Sequence, residues 1–193
     1  MTVSHTCANA RYFPKSDYQI HVKRQGLALS ELKIRAKKLL KRQQSEDVIG
    51  TYFSAILKKK HWTDKDTIQL KDCQNLMAIR CGFDDWHHAT KVLSGREGKD
   101  VGTFFHANAC EAFINLWFAD YSEALSALGD GKFLVPYKRQ YVVVDPSYLH
   151  AIGISNTVIA ECLSGHPNIA GNYGTELWDK IAEVVVRHKT TLA

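Results

Sequence analysis

A chain of 193 residues that is 45% apolar and 23% charged can fold around one good core or two small ones, which excludes overall disorder. No apolar run approaches the roughly 18–20 residues of a membrane span, and Met1–Arg11 lacks a signal peptide's apolar stretch, so a cytoplasmic protein without membrane partners is expected. The net charge of +5 is unevenly spread: residues 1–100 carry 19 Lys/Arg against 11 Asp/Glu, a net of +8, and residues 101–193 carry 6 against 9, a net of −3.

In chain order, residues 1–16 are polar and irregular and read as a flexible arm. Tyr18, Ile20 and Val22 alternate with polar residues and predict a short, half-buried strand. Ser30 is a candidate N-cap for a first helix in which Leu32, Ala36, Leu39 and Leu40 share one face. Its remaining circumference carries Lys33, Arg35, Lys37, Lys38, Lys41 and Arg42, with no acid among residues 33–42. A solvated helix normally interleaves both signs, because opposite charges three or four positions apart attract. A second helix, about Asp47 to Lys60, ends in Lys58-Lys59-Lys60, more cations than its dipole explains.

A third helix is predicted roughly from Leu70 to Arg80, and a fourth carries Trp86, Ala89, Thr90 and Leu93 and ends near Gly95. Gly82 is a left-handed cap between them, and Asp84 or Asp85 an N-cap. The polar stretch Gly95–Asp100 reads as a boundary between a basic helical domain (17–96) and a second domain (101–193). Beyond it, a helix is predicted over Ala107–Phe118, anchored by Phe113, Leu116 and Trp117, then a short one capped by Asp120. Phe133–Val135 and Tyr141–Val144 predict a hairpin, Pro146 opens a helical turn, and a last helix runs about Thr175 to His188. The expected fold class is α+β, with a mainly helical first half and a small antiparallel hairpin or sheet packed by helices in the second.

Five cysteines (Cys7, Cys73, Cys81, Cys110, Cys162) are odd in number and irregularly spaced, which fits reduced, buried thiols and no disulfide framework. No phosphate-binding loop, dinucleotide fingerprint, nucleophile elbow or metalloprotease helix is present, and no cofactor or catalytic residue is assigned. His87-His88 point about 100° apart on a helix and do not chelate one ion from a single face, so no metal site is assigned. The loop Ser164–Gly174 feeds a helix N-terminus, which is a weak anion-binding pattern. Ala78, Gly82 and Phe83 have helix-turn-helix spacing, but His88 stands where an apolar lock belongs and Asp84-Asp85 sit where phosphates would lie.

Leu29-x-x-Leu32-x-x-x-Ala36-Lys37-x-Leu39, followed by Leu70-x-x-Cys73-Gln74-x-x-x-Ala78-x-x-x-Gly82-Phe83-x-x-Trp86, resembles a small helical module of bacterial proteins labelled glyoxalase-related. The resemblance covers about residues 27–94, departs from the pattern at Cys73 and in the longer insert between its halves, and brings no catalytic residues. It implies a protein of the kind carried on bacterial mobile elements. Gly102–Ile154 is similar to a segment of uncharacterised proteobacterial proteins.

The leading expectation is a non-enzymatic, nucleic-acid-associated accessory or regulatory protein. Its phosphate contacts are expected at Lys33, Arg35, Lys37, Lys38, Lys41, Arg42, Lys58, Lys59 and Lys60. The first alternative is a protein-binding adaptor, inhibitor or antitoxin-like partner. It is motivated by the aromatic cluster Phe104, Phe105, Phe113, Trp117, Phe118 and Tyr121, and its candidate contact residues are Phe104, Phe105, Tyr137, Lys138 and Arg139; the last three also suit stacking of single-stranded bases. The second is an enzyme of unrecognised type, which needs His106, His150 or His166 to meet a carboxylate or thiol.

Overall fold

The computed structural model describes residues 26–45 and 68–191. The expected arm (1–16), the strand over 17–23, the second helix and Lys58–Lys60 lie outside the described residues.

Helix α1 spans Leu27–Ser45 and starts three residues before the expected cap Ser30. Its first free amides are satisfied from a distance: Leu27 N–H and Ala28 N–H donate to the Asp179 carboxylate at 2.6 and 3.1 Å. A carboxylate at a helix N-terminus both caps the amides and complements the dipole. Ala28, Leu29, Leu32, Ala36 and Leu39 form the buried stripe.

Helices α2 (Leu70–Arg80) and α3 (Trp86–Leu93) form where the pattern placed them. Asp72 accepts the Gln69 N–H at 2.9 Å as half of a capping box, and Asp85 accepts the His88 N–H at 2.7 Å. Between them Gly82 takes φ +95°, and Phe83 N–H returns to Ala78 O at 3.0 Å. The positions carrying the module resemblance thus have structural work: Ala78 is fully buried, Phe83 stacks on Phe104 with ring centroids 5.0 Å apart, and the Trp86 N–H donates to Asn75 Oδ1 at 2.9 Å.

The helix expected over Ala107–Phe118 does not form. A 3-10 turn occupies Asn108–Ala112, and Leu116–Phe118 is strand β1, paired antiparallel with Val143, Val142 and Tyr141. Aromatic and branched residues suit both a helix face and a pleated surface, and the waiting edge of β3 decides between them. After α4 (Tyr121–Ser126, capped by Asp120), strands β2 (Phe133–Tyr137) and β3 (Gln140–Val144) form the expected hairpin, with only Lys138 and Arg139 as its loop. The sheet order is β1-β3-β2. Helices α5 (Pro146–Ala151) and α6 (Asn156–Val158, continuing as a π-turn to Leu163) lead to α7 (Glu176–Lys189).

Strand alternation sorts the sheet into two faces. Phe133, Val135, Val142 and Val144 join the main core, whereas Leu134, Tyr141 and Val143 pack with Ala124 and Ala170 on the other side. The main core runs from Leu32 in α1 through Phe104 and Trp178 to Val142 in the sheet. Residues 26–45 and 68–96 therefore share one core with residues 101–190, and the stretch at 95–100 crosses the surface without dividing it. The fold is α+β, with a small antiparallel sheet packed by helices.

Candidate nucleic-acid interface

Burying the Ala28–Leu39 stripe turns Ile34, Lys37, Lys38 and Lys41 outward at spacings of three and four, with Arg42 beside them. The one acid in the α1 sequence, Glu31, is only 6% exposed. It accepts from Arg35 Nε at 2.7 Å and lies 3.6 Å from Arg187 Nη2 of α7. The structure thereby divides the expected contact residues of this helix. Arg35 is committed to Glu31, Lys33 is half-buried, and Lys37, Lys38, Lys41 and Arg42 remain exposed.

The second group of expected contact residues separates differently. Phe104 and Phe105 are 0% exposed and lie among Phe83 and Trp178, with Phe105 and Trp178 centroids 6.0 Å apart. Side chains with no surface cannot touch a partner, so both belong to the core and not to an interface. Tyr137 is half-buried, and Lys138 and Arg139 are exposed at the hairpin tip. Lys138 adopts φ +50°, a left-handed conformation that usually selects glycine or asparagine. Two backbone bonds hold it there: Lys138 N–H to Gly102 O at 2.7 Å, and Val101 N–H to Lys138 O at 3.2 Å. Its Nζ lies 5.4 Å from the Tyr137 ring centroid, and Arg139 Nε is 3.3 Å from Asp100 Oδ2.

Tertiary folding joins His106, named above as a candidate histidine, and Trp117 of the aromatic cluster to this hairpin tip. The Tyr137 ring meets Trp117 edge-on at 5.0 Å and His106 at 5.0 Å, and Trp117 remains 45% exposed. His106 Nδ1 lies 3.0 Å from Tyr148 Oη, and the Tyr148 hydroxyl donates to Phe105 O at 3.0 Å. With that proton committed to a carbonyl, Nδ1–H donates to the tyrosine oxygen, which leaves Nε2 as a bare acceptor. Among the described residues Nε2 has no protein partner, and it is not sealed from solvent. Burial first, then the charge of Lys189, holds this imidazole below its ordinary pKa of 6.5 and so neutral at pH 7; Glu111 opposes and Lys138 adds slightly.

Lys189 underlies the site. Its ammonium donates to Cys81 O at 3.2 Å, Thr103 O at 3.0 Å and His106 O at 2.7 Å. Burial pushes its pKa down to about 8, yet three carbonyls use all three donors of the charged form.

Among the described residues, the histidines named for an enzyme meet no carboxylate or thiol. His106 meets Tyr148, His150 Nε2 meets Asn156 Oδ1 at 2.8 Å, and His166 is exposed. Burial raises the thiols of Cys73 to about 11 and Cys81 to about 12 and also raises Cys110, so these are protonated and unreactive. His87 is exposed and His88 bridges Asp84 to the Asp100 carbonyl; among the described residues no group of three ligating side chains could hold a metal. The glycine-containing loop before α7 is knitted internally, with Asn168 Oδ1 accepting the Gly171 N–H and Thr175 Oγ1 capping Trp178 N–H. Among the described residues no helix is long and apolar enough to cross a membrane.

No protein-family model matches the chain, and comparisons with curated proteins and with solved structures return no significant match.

Proposed function

We propose that this protein is a nucleic-acid-associated accessory protein that contacts phosphates through the outer face of α1. The observation that carries the reading is the charge arrangement of that helix. Lys37, Lys38, Lys41 and Arg42 are exposed within six residues, while its one acid is turned inward against Arg35 and Arg187. A one-sided cationic strip raises the local concentration of polyanions and releases counterions when phosphates bind. The resemblance of residues 27–94 to a helical module of bacterial proteins adds an origin on a mobile element to this proposal, and it adds no chemistry. The adaptor alternative loses two of its aromatic anchors, Phe104 and Phe105, which are core residues, and keeps Trp117 at the surface.

Fluorescence anisotropy with labelled duplex and single-stranded oligonucleotides tests the reading. Binding at low salt is expected, with log K falling by about 0.9 per neutralised phosphate for each log unit of salt on duplex and about 0.7 on single strands. Absence of binding to both at low salt would overturn it.

A further inference from the structure

We infer that His106, Trp117, Tyr137 and Lys138 form a site for one unpaired nucleobase of a single strand, with its adjoining phosphate at Lys138 and Arg139. This stands on different residues from the α1 reading, and on a different side of α7. Arg187, which touches Glu31 of α1, and Lys189, which touches His106, are two positions apart and so project in nearly opposite directions.

Three features converge. First, Trp117 sits on edge strand β1 and keeps 45% of its surface exposed beside the half-buried Tyr137 and His106. Flat aromatic surface of this kind stacks bases regardless of their identity. Second, His106 Nε2 is a lone-pair acceptor whose orientation is set by the chain from Nδ1 through Tyr148 to the Phe105 carbonyl. Every nucleobase carries an N–H on its pairing edge, and only an unpaired base can offer it. Third, cations are held at the rim. Lys138 is fixed in a left-handed conformation by its two backbone bonds to Val101 and Gly102, within cation–π distance of Tyr137. Arg139 is 80% exposed despite its pairing with Asp100. An apolar peptide could use the rings and offer a backbone N–H to Nε2, but it would leave the cations at the rim without a counter-charge, so the charge complementarity favours a phosphate-linked base. A duplex hides both its base faces and its pairing edges and cannot use the site.

The test uses the full chain, a labelled oligothymidylate of about a dozen nucleotides, and a duplex of equal length. Trp117→Ala is expected to weaken single-strand binding on the order of tenfold and leave duplex binding unchanged. Lys138→Gly relieves the left-handed strain, keeps the fold, and should weaken single-strand binding severalfold, which guards against a Trp117→Ala variant that merely misfolds. If both variants bind the single strand as well as the unaltered protein does, the inference is wrong. It is also wrong if the unaltered protein binds duplex alone. Reversing Lys37 and Lys38 to Glu separates the two proposals. Weakening of duplex binding by that variant, with Trp117→Ala silent, sinks only the base site, whereas the opposite pattern sinks only the α1 reading.

Discussion

The ammonium of Lys189 donates to the carbonyl of His106 at 2.7 Å, which ties the last turn of α7 to the turn that carries the aromatic site. The same nitrogen holds Cys81 O at the end of α2 and Thr103 O, so one side chain fastens three segments far apart in sequence. Lys189→Met keeps the stem's packing and leaves these carbonyls without their donor. At about 1 kcal/mol per lost bond, a loss of about 2–4 kcal/mol is expected, read as a lower urea midpoint at unchanged slope. A change under about 0.5 kcal/mol would show that water replaces the amine without cost.

Acid should weaken the fold through His106. Its folded pKa lies below 6.5, so just under that pH the unfolded chain takes up a proton that the folded one resists. The contribution is complete above pH about 6.5 and is lost as pH falls toward the folded value. Unfolding midpoints measured between about pH 7.5 and 5 should fall less steeply in His106→Gln than in the unaltered protein. Identical slopes would contradict the assignment.

Asp179 caps α1 across a long sequence separation, through two amides at 2.6 and 3.1 Å. Asp179→Ala removes both acceptors and the charge at the dipole's positive end, for an expected loss of about 1–2 kcal/mol. Asn should recover part of the loss, since it still accepts one bond; thermal denaturation of the three proteins checks the order.

The Gly82–Gly102 contact admits no side chain. A Cβ on Gly102 would lie 2.3 Å from Gly82 O, and both residues hold positive φ, at +95° and +60°. Gly102→Ala is therefore expected to cost about 2 kcal/mol or more, because the neighbour it meets is backbone and cannot turn aside. A melting temperature within a degree or so of the unaltered protein's would refute the tight crossing.

Charge reversal on α1 gives a prediction in salt dependence. Lys37→Glu with Lys38→Glu should remove about two phosphate contacts and flatten the log K against log salt slope on duplex by about 2. Both side chains are exposed, so stability should stay within about 0.5 kcal/mol. An unchanged slope would move the contact surface elsewhere.

Local signals were legible where a residue's own chemistry sets the backbone. Leu70–Arg80 appears at the predicted bounds because Gly82 must follow it in a left-handed conformation, and Asp85 and Asp120 cap the helices placed behind them. Tyr137, Lys138 and Arg139 were visible as an aromatic beside cations at a strand end. The Leu116–Phe118 segment was not legible, since the same residues fit a helix face until the β3 edge pairs with them. His106 was visible only as one of three candidate histidines and Trp117 only as one of an aromatic cluster; their meeting with Tyr137 joins positions 31 and 20 residues away on the chain, which no local pattern reports.

By itself the sequence determined the α+β class, most helix bounds and the exclusive positive charge of α1 from Lys33 to Arg42, since these follow from local periodicity, capping and composition. The tertiary structure alone decided how the charge is used. It buries Glu31 between Arg35 and Arg187, removes Phe104 and Phe105 from the surface, and seats Lys189 on three carbonyls beneath His106. Each of these depends on contacts between elements far apart in the chain, where burial and hydrogen-bond satisfaction set the outcome and local pattern carries no information.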